Sequence, residues 1–258
     1  MVRLPALLVI LPVLLACLTG CATHKQARVK VPPAPSEEPR SPAEMVTSTA
    51  GRSKGQPTGQ PEAEDETLPS LPAGAKAIFV ESGLASWYGA PYHNRRGSNG
   101  EVYSMHAMTA AHRTLPLGSI VRVTNVKTGS SAVVRITDRG PFVPGRILDL
   151  SYAAAKKLDV WQAGVAEVKM EVLQAPAPLG TGGRWAVQIG SFEGQEKAEE
   201  LANHLSRRYH TAKVSTFPSP TGDWWLRVRV LNDDRQRAEA LAGETRTPEG
   251  AVFLVRLD

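Results

Sequence analysis

A mainly β fold followed by a smaller α+β unit, both behind a long disordered tether, is the architecture this 258-residue chain predicts. Three observations lead to it. Residues 77–175 hold several short β-type runs and only one helical stretch. From residue 184 the order becomes β-α-β-β-α-β. Before residue 77 no period of 2 or 3.6 is sustained, and Pro, Ser, Thr, Gly and Glu dominate, so little apolar surface is available to offset the entropy of ordering.

The chain begins with one charge, Arg3, an apolar run over residues 4–18, and then Leu18, Thr19, Gly20 and Cys21. This is an export leader over residues 1–20, too short and wrongly flanked to span a membrane. Leu-Thr-Gly-Cys resembles the lipobox of bacterial lipoproteins, which implies cleavage before Cys21 and lipidation of its sulfur and new amino terminus. Ala22 stands where an aspartate often retains lipoproteins at the inner membrane, so the resemblance favours the outer membrane. Cys17 leaves with the leader, and the single remaining thiol excludes an internal disulfide and a cysteine-rich metal site. Residues 21–76 then read as lipidated cysteine plus tether, with a flexible-chain reach of roughly 40 Å.

Charge is unevenly divided. Residues 22–76 carry seven basic and seven acidic side chains, residues 184–258 eleven of each, and residues 77–175 eleven basic against seven acidic, a net of +4. The excess sits on the middle segment and favours an anionic polymer as partner. In an exported chain a pI near 9.3 is no sign of nucleic-acid binding.

In the middle segment, 77–175, order begins with Ala-Ile-Phe-Val and Gly-Leu-Ala-Ser-Trp-Tyr-Gly (83–89). Strands are expected at 119–126, 131–137, 146–150 and 166–173, with residues 127–130 turning the first two into a hairpin. Residues 152–158 form the one helix, capped by Ser151. Many short strands with one helix argue for a small closed barrel, which leaves no edges. Two of the strands end in aspartates. Asp138 precedes the turn pair Gly140 and Pro141, and Asp149 precedes Ser151, so both carboxylates are held by strands yet reachable.

Residues 176–183 (Pro-Ala-Pro-Leu-Gly-Thr-Gly-Gly) read as a linker. In 184–258, residues 185–191 alternate as a strand, and Ala198, Leu201, Ala202, Leu205 and Tyr209 follow helical spacing. Residues 212–216 and 225–230 are strand-like, Asp234 caps a helix through Leu241, and 251–257 is the last strand. Both helices are expected on one face of an antiparallel sheet, with the other face free to bind.

Six motifs in order, Gly83-Leu-Ala-Ser-Trp-Tyr-Gly, Asn99-Gly-Glu101, Thr109-Ala-Ala-His112-Arg-Thr-Leu-Pro-Leu-Gly, Val121-Arg-Val-Thr-Asn, Thr137-Asp-Arg-Gly-Pro-Phe142 and Ile147-Leu-Asp-Leu-Ser151, resemble the double-psi β-barrel of the rare lipoprotein A family, itself similar to the first domain of expansins. Trp185-Ala-Val-Gln-Ile-Gly-Ser-Phe192 and Trp225-Leu-Arg-Val-Arg-Val230 resemble a sporulation-related (SPOR) repeat, although Leu231-Asn-Asp-Asp234 replaces the usual Gly-Pro-Phe. The resemblance implies a double-psi barrel followed by a SPOR domain. Its implied activity is that of a lytic transglycosylase cutting peptidoglycan between MurNAc and GlcNAc, with 1,6-anhydro-MurNAc ends. The alternative is a non-catalytic, expansin-like wall-loosening lipoprotein.

That chemistry needs one recycled acid/base, whereas hydrolysis usually needs two carboxylates. The resemblance ranks Asp138 first as the acid, with Asp149 a near rival. It makes His112 an orienter of acid or sugar, and Glu101 a substrate hydrogen-bond acceptor or charge partner. Trp87 and Tyr88 are offered as sugar-stacking side chains, although strand alternation puts one of the pair in the core. In the repeat, alternation turns Leu226, Val228 and Val230 inward and leaves Gln188, Trp225, Arg227 and Arg229 on the open face for glycan lacking stem peptides. No metal or organic cofactor is implied. The expected partners are denuded glycan strands, the membrane through Cys21 and division-site proteins. The expected location is the periplasmic face of the outer membrane, enriched at the septum.

Overall fold

The computed structural model describes residues 74–247 and 250–258. The expected leader, the expected lipidation site Cys21 and the expected tether up to residue 73 lie outside them.

Strands β1 (Phe79–Trp87), β2 (Thr109–Ala111), β3 (Ile120–Asn125), β4 (Ser131–Asp138), β5 (Arg146–Leu150) and β6 (Ala166–Gln174) close into a barrel in the order β1-β5-β2-β4-β3-β6. The β1/β5 and β2/β4 pairs are parallel and the others antiparallel. Alternation in sequence becomes alternation in burial: Val121 and Val123 of β3, Val134 and Ile136 of β4, and Val168, Met170 and Val172 of β6 fill the interior. Each such side chain contributes about 1.5–3 kcal/mol on burial. Helix α1 (Tyr152–Lys157) plugs one end with Ala154, Ala155 and the following Leu158.

In sequence, strand β2 shows only as a motif, because three residues, Thr-Ala-Ala, are too few to display a period. It is an interior strand nonetheless, with all three residues buried between β4 and β5.

The second unit runs β7 (Trp185–Phe192), α2 (Gln195–Arg208), β8 (Lys213–Pro218), β9 (Trp224–Arg229), α3 (Arg235–Glu244) and β10 (Ala251–Arg256), with sheet order β10-β7-β9-β8, all antiparallel. Trp185, Val187 and Ile189 meet Leu226 and Val228, with Ala198, Leu205, Ala238 and Leu241 covering them from the helices. Asp234 caps α3 by accepting from the Arg237 amide. Where the sequence departs from Gly-Pro-Phe, a 3-10 turn spans Leu231–Asp233, with Asn232 and Asp233 at φ 61° and 51°. Asn and Asp tolerate this left-handed region better than most residues.

The linker is not loose. Pro178, Gly180 and Gly182 carbonyls accept from Arg256, Arg235 and Trp185, while Ala175 and Leu179 pack on the barrel core. Barrel and repeat belong to one compact unit. The sheet face expected to be free is turned onto the barrel: Phe142 lies 5.4 Å from the Trp225 ring and 5.7 Å from the Phe253 ring.

Candidate active site

Ala111 of β2 is the hinge of the site. It pairs with Asp138 across β4 and with Asp149 across β5. The two aspartates are therefore two strand spacings apart, about 10 Å between Cα atoms. Gly140 passes between them at φ +150°, where a side chain would stand 3.7 Å from Ala111 Cβ and 3.7 Å from Asp149 Oδ2.

Asp138 has Oδ1 held by three donors, the Ser98 amide at 2.9 Å, the Ser98 hydroxyl at 2.5 Å and the Arg139 amide at 2.8 Å. Asp149 accepts from the Ser86 hydroxyl at 2.6 Å and from Arg146 Nη2 at 3.3 Å. Burial pushes the Asp149 carboxyl above the usual aspartate range. Arg146, Ser86 and Arg113 oppose that shift only in part, and the negative charge of Asp138 adds to it. Still, 17% of its side chain is accessible. Asp149 thus sits in desolvating surroundings with a second carboxylate nearby, and both raise its affinity for a proton.

His112 does not meet either carboxylate with its ring. Nδ1 accepts from the Thr114 and Leu115 amides at 3.1 and 3.0 Å, which leaves the proton on Nε2, 3.4 Å from Glu81 Oε2. Burial holds this imidazole below its ordinary value, with Glu81 opposing. Its link to the site is through the main chain, where the His112 amide donates to the Asp138 carbonyl at 3.1 Å. Glu101 meets Arg135 through both oxygens, at 3.1 and 2.9 Å, and Arg135 holds its carboxyl below the usual range.

Trp87 is the core member of its pair. Its ring packs on the barrel core, 5.7 Å from Tyr152, and Nε1 donates to the Trp161 carbonyl. Tyr88 shares the opposite strand face with Ser86, stacks on Tyr103 at 4.4 Å and meets Tyr92 edge-on at 5.7 Å. A neighbouring ring covers one of its faces and its hydroxyl is buried. Burial raises that phenol well above its ordinary value, and the charges of Asp138 and Asp149 add to the shift.

In the repeat, Gln188, Trp225, Arg227 and Arg229 do share one face, as register pairs Gln188 with Arg227 and Gly190 with Trp225. That face is not open. Gln188 is 2% exposed and accepts from Arg227 Nη2 at 2.7 Å, while Arg229 is committed to Asp233 through two contacts of 2.9 and 2.6 Å.

Ser86, Ser98, Arg113 and Arg146 were missed. Ser86 and Arg146 were within reach of the sequence, one in the Ser-Trp-Tyr motif and the other opening the strand of Asp149. Ser98 meets Asp138 across a separation of 40 residues, which no local pattern reveals.

The lytic transglycolase family, a double-psi β-barrel family, matches residues 80–170, and the SPOR domain matches residues 181–248. Endolytic peptidoglycan transglycosylase RlpA of Vibrio cholerae is 48% identical over 136 residues, covering 50% of this chain and 52% of that protein. In both matched segments the chain is similar to the rare lipoprotein A family. Other relatives include the RlpA proteins of Pseudomonas aeruginosa, 56% identical over 63% of this chain and 48% of that protein, and of Neisseria meningitidis, 42% identical over 56% and 62%. The chain thus spans about half to three fifths of the length of these rare lipoprotein A relatives. A solved Clavibacter michiganensis expansin aligns with 69% of this chain and 90% of its own at 14% identity, with a TM-score of 0.31, too slight a likeness to bear on activity.

Proposed function

We propose that this chain is an endolytic transglycosylase that cuts peptidoglycan glycan strands between MurNAc and GlcNAc, with Asp149 as the acid and then the base. The raised Asp149 carboxyl, at a strand end and near a second aspartate, carries the reading. Protonated Asp149 gives its proton to the glycosidic oxygen, the bond from C1 of MurNAc to that oxygen breaks, and GlcNAc leaves with a free hydroxyl. The 6-hydroxyl oxygen of the same MurNAc then bonds to C1, and its proton returns to Asp149. No water is consumed. Asp138, its Oδ1 anchored, turns Oδ2 to the sugar and steadies charge developing at C1. The names of the RlpA relatives support this reaction class.

The same reading has the chain tethered by lipid at Cys21 to the periplasmic face of the outer membrane. The SPOR repeat, through Gln188, Trp225 and Arg227, holds strands lacking stem peptides at the septum. No metal or organic cofactor enters the step.

Digesting peptidoglycan stripped of stem peptides and identifying the ends by mass spectrometry tests the proposal. Anhydro ends are expected, and Asp149→Asn should slow their release by about 10²–10⁴-fold. Reducing ends would mean a hydrolase, and an Asp149→Asn protein of full activity would return the role to Asp138. A folded, glycan-binding sample that yields no products would favour the expansin-like alternative.

A further inference from the structure

We propose that the SPOR sheet face has two mutually exclusive occupants, the barrel's own Asp138 loop and a glycan strand, so that capture of a glycan by the repeat releases the barrel. This rests on the reading of the repeat as glycan-binding.

The loop that follows Asp138 is what the repeat grips. Arg139 Nη2 donates to the Asp258 carbonyl at 2.6 Å, and Phe142, three residues on, lies against the Trp225 and Phe253 rings. Arg113, whose Nη1 also holds the Pro141 carbonyl at 2.9 Å, sits 5.6 Å over the Phe253 ring. Two main-chain bonds cross between the units, the Arg256 amide to the Arg113 carbonyl at 3.0 Å and the Leu117 amide to the Asp258 carbonyl at 3.3 Å. The face so covered carries an aromatic ring beside a guanidinium and an amide, groups suited to a sugar chain. Its Gln188 is buried, and Arg227 Nε has no hydrogen-bond partner among the described residues. While Phe142 is seated there, a glycan cannot lie on the part of the half-buried Trp225 ring that it covers or reach the buried Gln188. Docking is polar at its margin and held by few rings, which suits a contact that opens.

Two measurements on the full chain test this. The first is affinity for peptidoglycan stripped of stem peptides. Phe142→Ala, a change in the barrel, should tighten binding by about tenfold, because each lost ring pair weakens docking several-fold and docking taxes the open state. The gain should vanish in Phe142→Ala combined with Trp225→Ala. If the parent protein binds and Phe142→Ala leaves affinity unchanged or weaker, the exclusion is overturned while the glycan-binding reading stands. A gain that persists in the double variant would trace to the barrel and also overturn it. If neither parent nor Phe142→Ala binds, both readings fall together.

The second measurement is amide hydrogen exchange. Added glycan should speed exchange at Leu117 and Arg256, whose amides span the contact. Unchanged or greater protection with glycan bound would sink the proposal, whatever Phe142→Ala does to folding.

Discussion

Asp149 accepts hydrogen bonds from Ser86 and Arg146, yet burial outweighs them and its carboxyl is raised. A raised folded value means that the native chain keeps this proton longer than the unfolded chain does. Stability is therefore lost as pH rises from the ordinary aspartate value, about 3.9, through the raised one. Asp149→Asn removes that cost while keeping an acceptor for Ser86. The variant should melt higher than the parent at pH 7, by about 2–4 °C for each 1 kcal/mol recovered, and the difference should fade below about pH 4. Melting curves across that range would check it; an Asn variant less stable than its parent at pH 7 would mean that the Arg146 pair outweighs burial. Activity should move the other way, as proposed above. None of this was visible in Leu148-Asp149-Leu150, because the leucines point to the opposite face and the desolvation comes from residues far away in sequence.

At the scale of the element, Ser151 is read correctly from sequence as the cap of α1 and does more than was read. Its hydroxyl accepts from the Ala154 amide at 3.1 Å and donates to the Ala107 carbonyl at 2.7 Å, fastening the helix start to the loop before β2. Ser151→Ala should cost about 1–2 kcal/mol, since a cap and a buried carbonyl's partner are lost together, and urea unfolding would measure it. The long elements were legible because each shows several turns or repeats of its period. Strand β2 was not, for it has too few residues to show one. It owes its existence to the edges that β4 and β5 offer on either side, and it sets the spacing of the two aspartates.

Across the whole molecule, the chain's folded units are joined at Arg139. Burial pushes its guanidinium down to about 10, still charged at neutral pH, and it donates to the carbonyls of His112, Leu115 and Asp258. Arg139→Ala strands several acceptors and should destabilise the protein by about 2–4 kcal/mol. Arg139→Lys should rescue little of this, because an ammonium lacks the planar fork that reaches separate carbonyls. Calorimetry should show one unfolding transition in the parent, and a second should separate in Arg139→Ala as the barrel and repeat uncouple. Two resolved transitions in the parent would refute that coupling.

By itself the sequence determined the two fold classes, the barrel's long strands, the caps and the side-chain partition of the SPOR sheet, since all of these follow from local periodicity and local hydrogen bonding. Motif order was enough to point to the family. Only the tertiary structure decided that the Asp149 carboxyl is raised, that the His112 ring turns to Glu81, that Arg229 is spent on Asp233 and that the supposedly open sheet face rests on Phe142. Those depend on contacts between segments far apart in the chain, where burial and charge are set by neighbours that no local pattern specifies.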